Sequence, residues 1–367
     1  MNNALATKLR IAREAAGITK DALARAVNLS LGFISQLEAG RRRPSLQTLK
    51  KLSEHLKKDL AYFLIEKEKA FTLLLNNERL DKKAKILLGK FKKYCEEYVL
   101  LEEVTGHRVE SSPLYTHTSA ERMAEEERRR LGLGNEPIRD IFSLVELNGL
   151  RIIRQAIPEE SKISGVFIYL DPHETAFALV NCAQPLGQQA IIAAHEYCHF
   201  LKDRTSGPII DNPDIFIDEY VSLYHPQEQF AQTFAYHFLL PLSMVKEVIE
   251  KDVRLRHVRY EDILYLKRYF GVSFSAIMHT LKNLGYLSQA KFEEYQKIDS
   301  EGFEETVFGD VSEKRRLQRR KKRLILSSRF KLVAVDAYRK KKITLEELST
   351  LLNSRKDKIL SALRELK

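Results

Sequence analysis

A mostly helical α+β protein of several domains is predicted by three observations. Apolar residues recur at helical spacing over most of the chain, a central stretch reads instead as short strands, and 367 residues exceed what one small core serves. Four segments follow: a five-helix unit over residues 1–66, a helical linker over 67–112, helices around a small sheet over 113–298, and a basic helical region over 299–367.

In the first segment Leu5, Leu9 and Ala12 share one helical face, Gly17 closes that helix, and Thr19 caps the next, which carries Leu23, Ala24 and Val27. Asn28-Leu29-Ser30 makes a tight turn before a helix with Ile34 and Leu37 inward. Gly40 stops it, and Pro44-Ser45 starts another. From residue 67 to about 106 the chain is highly charged, yet Leu80, Ala84, Leu87, Phe91, Tyr94, Tyr98 and Leu101 fall at alternating intervals of four and three. That spacing predicts one long linker helix whose seam meets either its own chain or a second copy, so a homodimer is an expected assembly.

Ser111-Ser112-Pro113 breaks the pattern. Helices are predicted over 119–131 and 137–147, then strands over 150–154, 165–170 and 175–181, the last two joined by an Asp171-Pro172 turn. Helices over 188–201 and 227–240 flank a Gly/Pro/Asp-rich loop, and more follow Pro241 to about residue 297. Residues 270–284, around Gly271-Val272-Ser273, have a helix-turn-helix-like pattern. Residues 314–323 hold eight basic residues in ten, and two helices are predicted between 330 and 367.

The net charge of +11 and pI near 9.3 favour phosphate-bearing partners without specifying a sequence. Cys95, Cys182 and Cys198 are odd in number and widely spaced, which excludes a disulfide framework or a CxxC knuckle and suits a reducing compartment. The amino terminus lacks a signal-peptide core, and no apolar run is long enough to span a bilayer. A soluble, cytoplasmic protein with no membrane partner is expected.

The sharpest motif is His195-Glu196-Tyr197-Cys198-His199, an HExxH pattern in the apolar context Ile191-Ile192-Ala193-Ala194 and Phe200-Leu201. Residues i and i+4 project from one helical face a turn apart, so both imidazoles can chelate one ion, and Zn2+ suits them. Glu196 falls beside the ion, where a general base belongs. A catalytic zinc takes a third protein ligand. The metzincin pattern fails, because Lys202 and Thr205 occupy its later positions. Glu219, His225 and His237 are chemically able, but Glu228 is favoured: Ala231 and Ala235 share its face and allow close approach to the His195 helix. Cys198 is expected to be a small buried residue rather than a ligand.

These residues resemble the ImmA/IrrE metallopeptidases, whose signature is an HExxH helix followed by a helix of the form E-x-x-A-N-x-F-A, an apolar pair and Pro. Here Glu228 to Ala235 is followed by Leu239-Leu240-Pro241, with Gln232 in place of Asn and Ile192 where many members have Thr. The resemblance spans roughly residues 113–290. It implies a zincin-like peptidase domain in which His195, His199 and Glu228 hold Zn2+ and Glu196 is the base for peptide hydrolysis. The edge of the hairpin over 165–181 is the place for an extended substrate to pair.

Residues 5–64 resemble the Xre (Cro/cI) helix-turn-helix family through Ser35-Gln36-Leu37-Glu38-Ala39-Gly40, Arg41 to Arg43 and Pro44-Ser45, with Lys20 in place of a frequent Gln. The resemblance makes residues 31–38 the recognition helix. Ser30, Gly32, Ser35 and Gln36 are then candidates for base contacts, and Lys20, Arg41, Arg42 and Arg43 for phosphates of a double-stranded operator. Together the two resemblances imply a DNA-binding regulator fused to a zinc endopeptidase that cuts a repressor, or its own chain, in a stress, DNA-damage or mobile-element response. Single-stranded DNA is a candidate activator. The alternative is a transcription factor or antitoxin whose peptidase fold only senses a ligand or partner.

Overall fold

The computed structural model describes residues 3–56, 58, 60, 63, 69–77, 80–116, 118–170, 173–204, 206–211, 226–253, 258–298, 300–308 and 324–364. The chain divides into two compact units, one of residues 1–73, 92–108 and 332–367, the other of 74–91 and 109–331.

The first unit opens with α1 (Asn3–Ala15), α2 (Lys20–Ala26), α3 (Leu31–Glu38) and α4 (Leu46–His55). Thr19, Ser30 and Ser45 each cap the helix that follows, their hydroxyls accepting from Ala22, Phe33 and Thr48 N–H groups that have no partner in the first turn. Asn28 takes a left-handed φ of 55°, which Asn tolerates better than most residues, and so turns α2 into α3. Leu9, Ala12, Leu23, Ala24, Val27, Ile34, Leu37, Leu49 and Leu52 form the core. Most of the expected fifth helix lies outside the described residues.

The expected single linker helix is two, α5 (Lys69–Leu75) and α6 (Lys82–Thr105). Helical structure stops at Asn76-Asn77, residues that compete for backbone hydrogen bonds. α6 restarts where the Asp81 carboxylate accepts from the Ala84 N–H at 2.6 Å, so Leu80 precedes the helix. The two helices expected after residue 330 are three, α16 (Ser328–Arg339), α17 (Leu345–Leu351) and α18 (Lys356–Arg364). Thr344 and Glu347 form a reciprocal cap that starts α17, and Asn353 at φ 45° ends the segment. Within this unit the end of α6 is tied to α16 by His107 to Asp336 at 2.8 Å and Lys340 to the Thr105 carbonyl at 2.8 Å.

The second unit holds a five-stranded sheet in the order β4-β2-β3-β1-β5. Its strands are β1 (Leu150–Gln155), β2 (Gly165–Leu170), β3 (Thr175–Asn181), β4 (Ile209–Asp211) and β5 (Leu324–Leu326). β1 runs parallel to β3, and the other pairs are antiparallel. Every residue of β3 is buried, as a strand covered on both faces requires.

Before the sheet come α7 (Ala120–Arg130) and α8 (Ile141–Leu147). After β3 come α9 (Leu186–Lys202), α10 (Pro226–Leu239), α11 (Leu242–Val248), α12 (Tyr260–Phe270), α13 (Phe274–Asn283), α14 (Gln289–Gln296) and α15 (Ser300–Phe308). α9 lies against β2 and β3 on one side and α10 on another, and α10 also packs on α7. The Arg128 guanidinium donates to the Phe238 carbonyl at 2.6 Å, satisfying the last turn of α10. The turn Asp171-Pro172 and the basic run 314–323 lie outside the described residues. No helix among the described residues is long and apolar enough to cross a membrane.

Candidate metal centre and nucleic-acid interface

α9 is buried without interruption from Gln189 to Leu201. Its small residues Ala190, Ala193 and Ala194, with Ala231 and Ala235 on α10, belong to the main apolar core, and the two helices approach closely there. His195, Glu196 and His199 have no exposed surface. Polar groups in such a place are tolerated only when something satisfies them.

His195 Nε2 lies 3.0 Å from His199 Nε2 and 3.0 Å from Glu228 Oε2, which is itself 3.4 Å from His199 Nε2. Asp211, on β4, adds Oδ2 at 3.4 Å from His195 Nε2 and Oδ1 at 4.0 Å from His199 Nε2. One imidazole nitrogen carries one hydrogen or one lone pair, so His195 Nε2 cannot hydrogen-bond all three neighbours. The convergence suits a cation: tetrahedral zinc with Zn–N bonds of about 2.0 Å sets neighbouring ligand atoms about 3.3 Å apart. His195, His199, Asp211 and Glu228 together fit a divalent ion.

Two carboxylates carry the chemical signature of the site. No N–H or O–H group of another described residue donates to either oxygen of Glu196 or of Asp211, and the two carboxyls interact with each other. Burial, then the Asp211 charge, pushes Glu196 well above the usual carboxyl range; burial raises Asp211 as well. Burial also opposes charge on Glu228, yet its hydrogen bonds to His195 and His199 hold it well below that range. For His199 burial pulls the imidazole down, but hydrogen bonds to Asp203 and Glu228 outweigh it and push it up to about 10.

The surroundings set these groups in place. His199 Nδ1 donates to Asp203 Oδ2 at 2.9 Å, which turns Nε2 toward the cluster. Gly165 faces Glu196 so closely that a Cβ there would stand 2.0 Å from Oε1. On the far side of α9 the Tyr197 hydroxyl donates to buried Glu127, which also accepts from Tyr115 at 2.9 Å and from Arg130 Nε at 2.7 Å. This network ties α9 to α7 one residue from Glu196.

The structure therefore brings together His195, His199, Glu196 and Glu228, all singled out in the sequence, and adds Asp211 and Asp203, which were not. Asp203 follows His199 by four, a spacing that could have revealed it. His237 is nine residues beyond Glu228, half a turn round α10, and lines a separate cleft of about 810 Å3 with Glu121 and Glu125. Glu219 and His225 lie outside the described residues. Cys198 is buried, and burial raises its thiol far above the ordinary range.

In the first unit α3 presents Leu31, Gly32 and Gln36 to solvent, with Ser35 half-buried and Ser30 capping the helix. Arg41, Arg42 and Arg43 are exposed just beyond it, and the Arg42 guanidinium stacks 4.6 Å from the Phe33 ring centroid. Lys20 is drawn to Glu38 at 3.6 Å, whose buried carboxylate also takes Arg13 Nε at 2.6 Å. These ion pairs lock α1, α2 and α3 together.

Residues 9–63 match the helix-turn-helix family model, and residues 153–282 match the peptidase family model described as the IrrE N-terminal-like domain. Each match covers less than half of the chain. No curated protein matches it in sequence. The IrrE N-terminal-like match takes in β1, β2, β3, α9, β4 and α10, and so every donor of the cluster. It ends within α13, which assigns the helix-turn-helix-like pattern over 270–284 largely to this domain rather than to a second DNA-reading unit. The helix-turn-helix match covers α2 and α3 with the Asn28 turn between them.

Proposed function

We propose that this is a cytoplasmic, DNA-binding regulator whose IrrE N-terminal-like domain is a zinc-dependent endopeptidase that cuts a partner repressor, or its own chain, in a stress or mobile-element response. The observation that carries the reading is the buried Glu196, to which no described N–H or O–H group donates, beside the converging His195, His199 and Glu228. A metal held there supplies Lewis-acid polarisation of a carbonyl and a more acidic water. Glu196 accepts a proton from the attacking water and returns it to the leaving amine nitrogen. Its raised proton affinity suits that work. Asp203 holds the His199 ring in the tautomer that leaves Nε2 for the ion.

The helix-turn-helix domain supplies the address. α3 enters a major groove with Ser30, Gly32, Ser35 and Gln36 toward base edges, and Arg41 to Arg43 meet phosphates. A second reading, a transcription factor or antitoxin whose peptidase fold only senses a partner, is favoured by Asp211, because four protein donors are what a structural zinc site has. Glu196 argues against it, since a structural site has no use for a buried base.

The deciding experiment incubates the purified, zinc-loaded protein with repressors encoded beside its own gene, with and without single-stranded DNA. One discrete cut is expected, and Glu196→Gln is expected to keep its zinc and lose the cut. If the parent never cleaves any of them, or itself, while Glu196→Gln still alters regulation, the sensor reading replaces the enzyme.

A further inference from the structure

A free sheet edge beside a peptidase's metal-binding helix can take an extended peptide as one more strand. In this protein the outer edge of β2 is already taken. β4 pairs with it antiparallel, Gly165 opposite Asp211, Val166 opposite Ile210 and Phe167 opposite Ile209. The Ser164 N–H also donates to the Asp211 carbonyl at 2.9 Å. The same strand carries the Asp211 carboxylate into the donor cluster, fully buried and with no N–H or O–H donor from another described residue. A single short segment fills the strand position and supplies the fourth donor.

Each half of that arrangement opposes catalysis. A catalytic zinc takes three protein ligands and keeps one position for water or substrate, whereas four protein ligands close it. A peptide that added to β2 would have to lie where β4 lies. We propose that β4 is a built-in inhibitory strand: Asp211 closes the metal centre, β4 covers the docking edge, and a substrate gains both by exchanging with β4.

The proposal rests on the metallopeptidase reading and adds its regulation. Length favours strand exchange, because β4 makes three register pairs with β2 whereas β3 makes six on the opposite edge. Ile209 and Ile210 are only half-buried, so little apolar area holds β4 in place. The substrate class that competes is an extended segment whose backbone pairs with residues 165–167 as β4 does.

The test uses the full-length protein loaded with Co2+, whose visible absorption reports coordination, titrated with acetohydroxamate as a small bidentate ligand. Parent, Asp211→Ala and the nearly isosteric Asp211→Asn are compared, with circular dichroism confirming that each is folded. All three are expected to take up one Co2+, since His195, His199 and Glu228 remain. Both variants are expected to bind the hydroxamate ~tenfold or more tightly than the parent. Equal hydroxamate binding by parent and variants overturns the inhibitory strand and leaves the metallopeptidase reading standing. Failure of the folded parent and variants to take up Co2+ overturns that reading, and the inhibitory strand falls with it.

Discussion

Asp203 and Glu146 show how far a single side chain reaches. Asp203 fixes the His199 ring at 2.9 Å. Asp203→Asn is expected to weaken metal affinity about 10- to 100-fold, measured by competition with a chromophoric chelator, while the fold is kept. Glu146, on α8, is buried, and that burial raises its carboxyl to about 7 despite the Ile152 N–H it accepts. Its folded-state pKa lies above the unfolded value, so the folded state binds more protons. Stability should then be greatest below about pH 4.5 for this group and fall as pH rises through about 7, by up to about 3 kcal/mol. Denaturant unfolding at pH 5 and pH 8 checks this, and Glu146→Gln should flatten the difference. At this scale the sequence was legible wherever chemistry is local: His195 and His199 share a helical face by spacing alone. Asp211 was not, because nothing within a few residues of it marks it as a ligand.

Among the elements, the long amphipathic helices and the strands β1, β2 and β3 follow from periodicity that the chain carries within itself. β4 and β5 have three residues each and owe their existence to partners distant in sequence, β2 and β1. Such strands leave no period to read. The parallel pairing of β1 with β3 was hidden for the same reason, and the heptad spacing, which begins only at Leu80, held no information on the break between α5 and α6. Close packing of β2 on α9 gives a sharp prediction. Gly165→Ala places a Cβ against Glu196 Oε1 and 3.0 Å from Ile192 Cγ2, and is expected to cost about 1–3 kcal/mol by overpacking. Equilibrium denaturation measures it, and an unchanged midpoint would show that Glu196 moves aside freely. In the first unit Ser30→Ala removes the cap of α3, with an expected loss of about 1 kcal/mol in the same assay.

For the whole molecule, a DNA-reading domain and a peptidase-family domain on one chain make two separable outputs. Alanine at Arg41 and Arg43 is expected to lower affinity for any duplex and to reduce the slope of log K against log salt by about 1 for each phosphate no longer neutralised, without touching metal uptake. Fluorescence anisotropy over a salt series checks it. The chain's three cysteines are all buried, Cys198 inside the HExxH helix itself. A thiol-reactive dye should therefore label none of them until the protein is unfolded. The donor cluster contains only nitrogen and oxygen. Peroxide or disulfide stress, which strips metals from thiolate sites by oxidising sulfur, has nothing to attack here. A metal held by these donors is expected to stay bound under peroxide that empties a thiolate site.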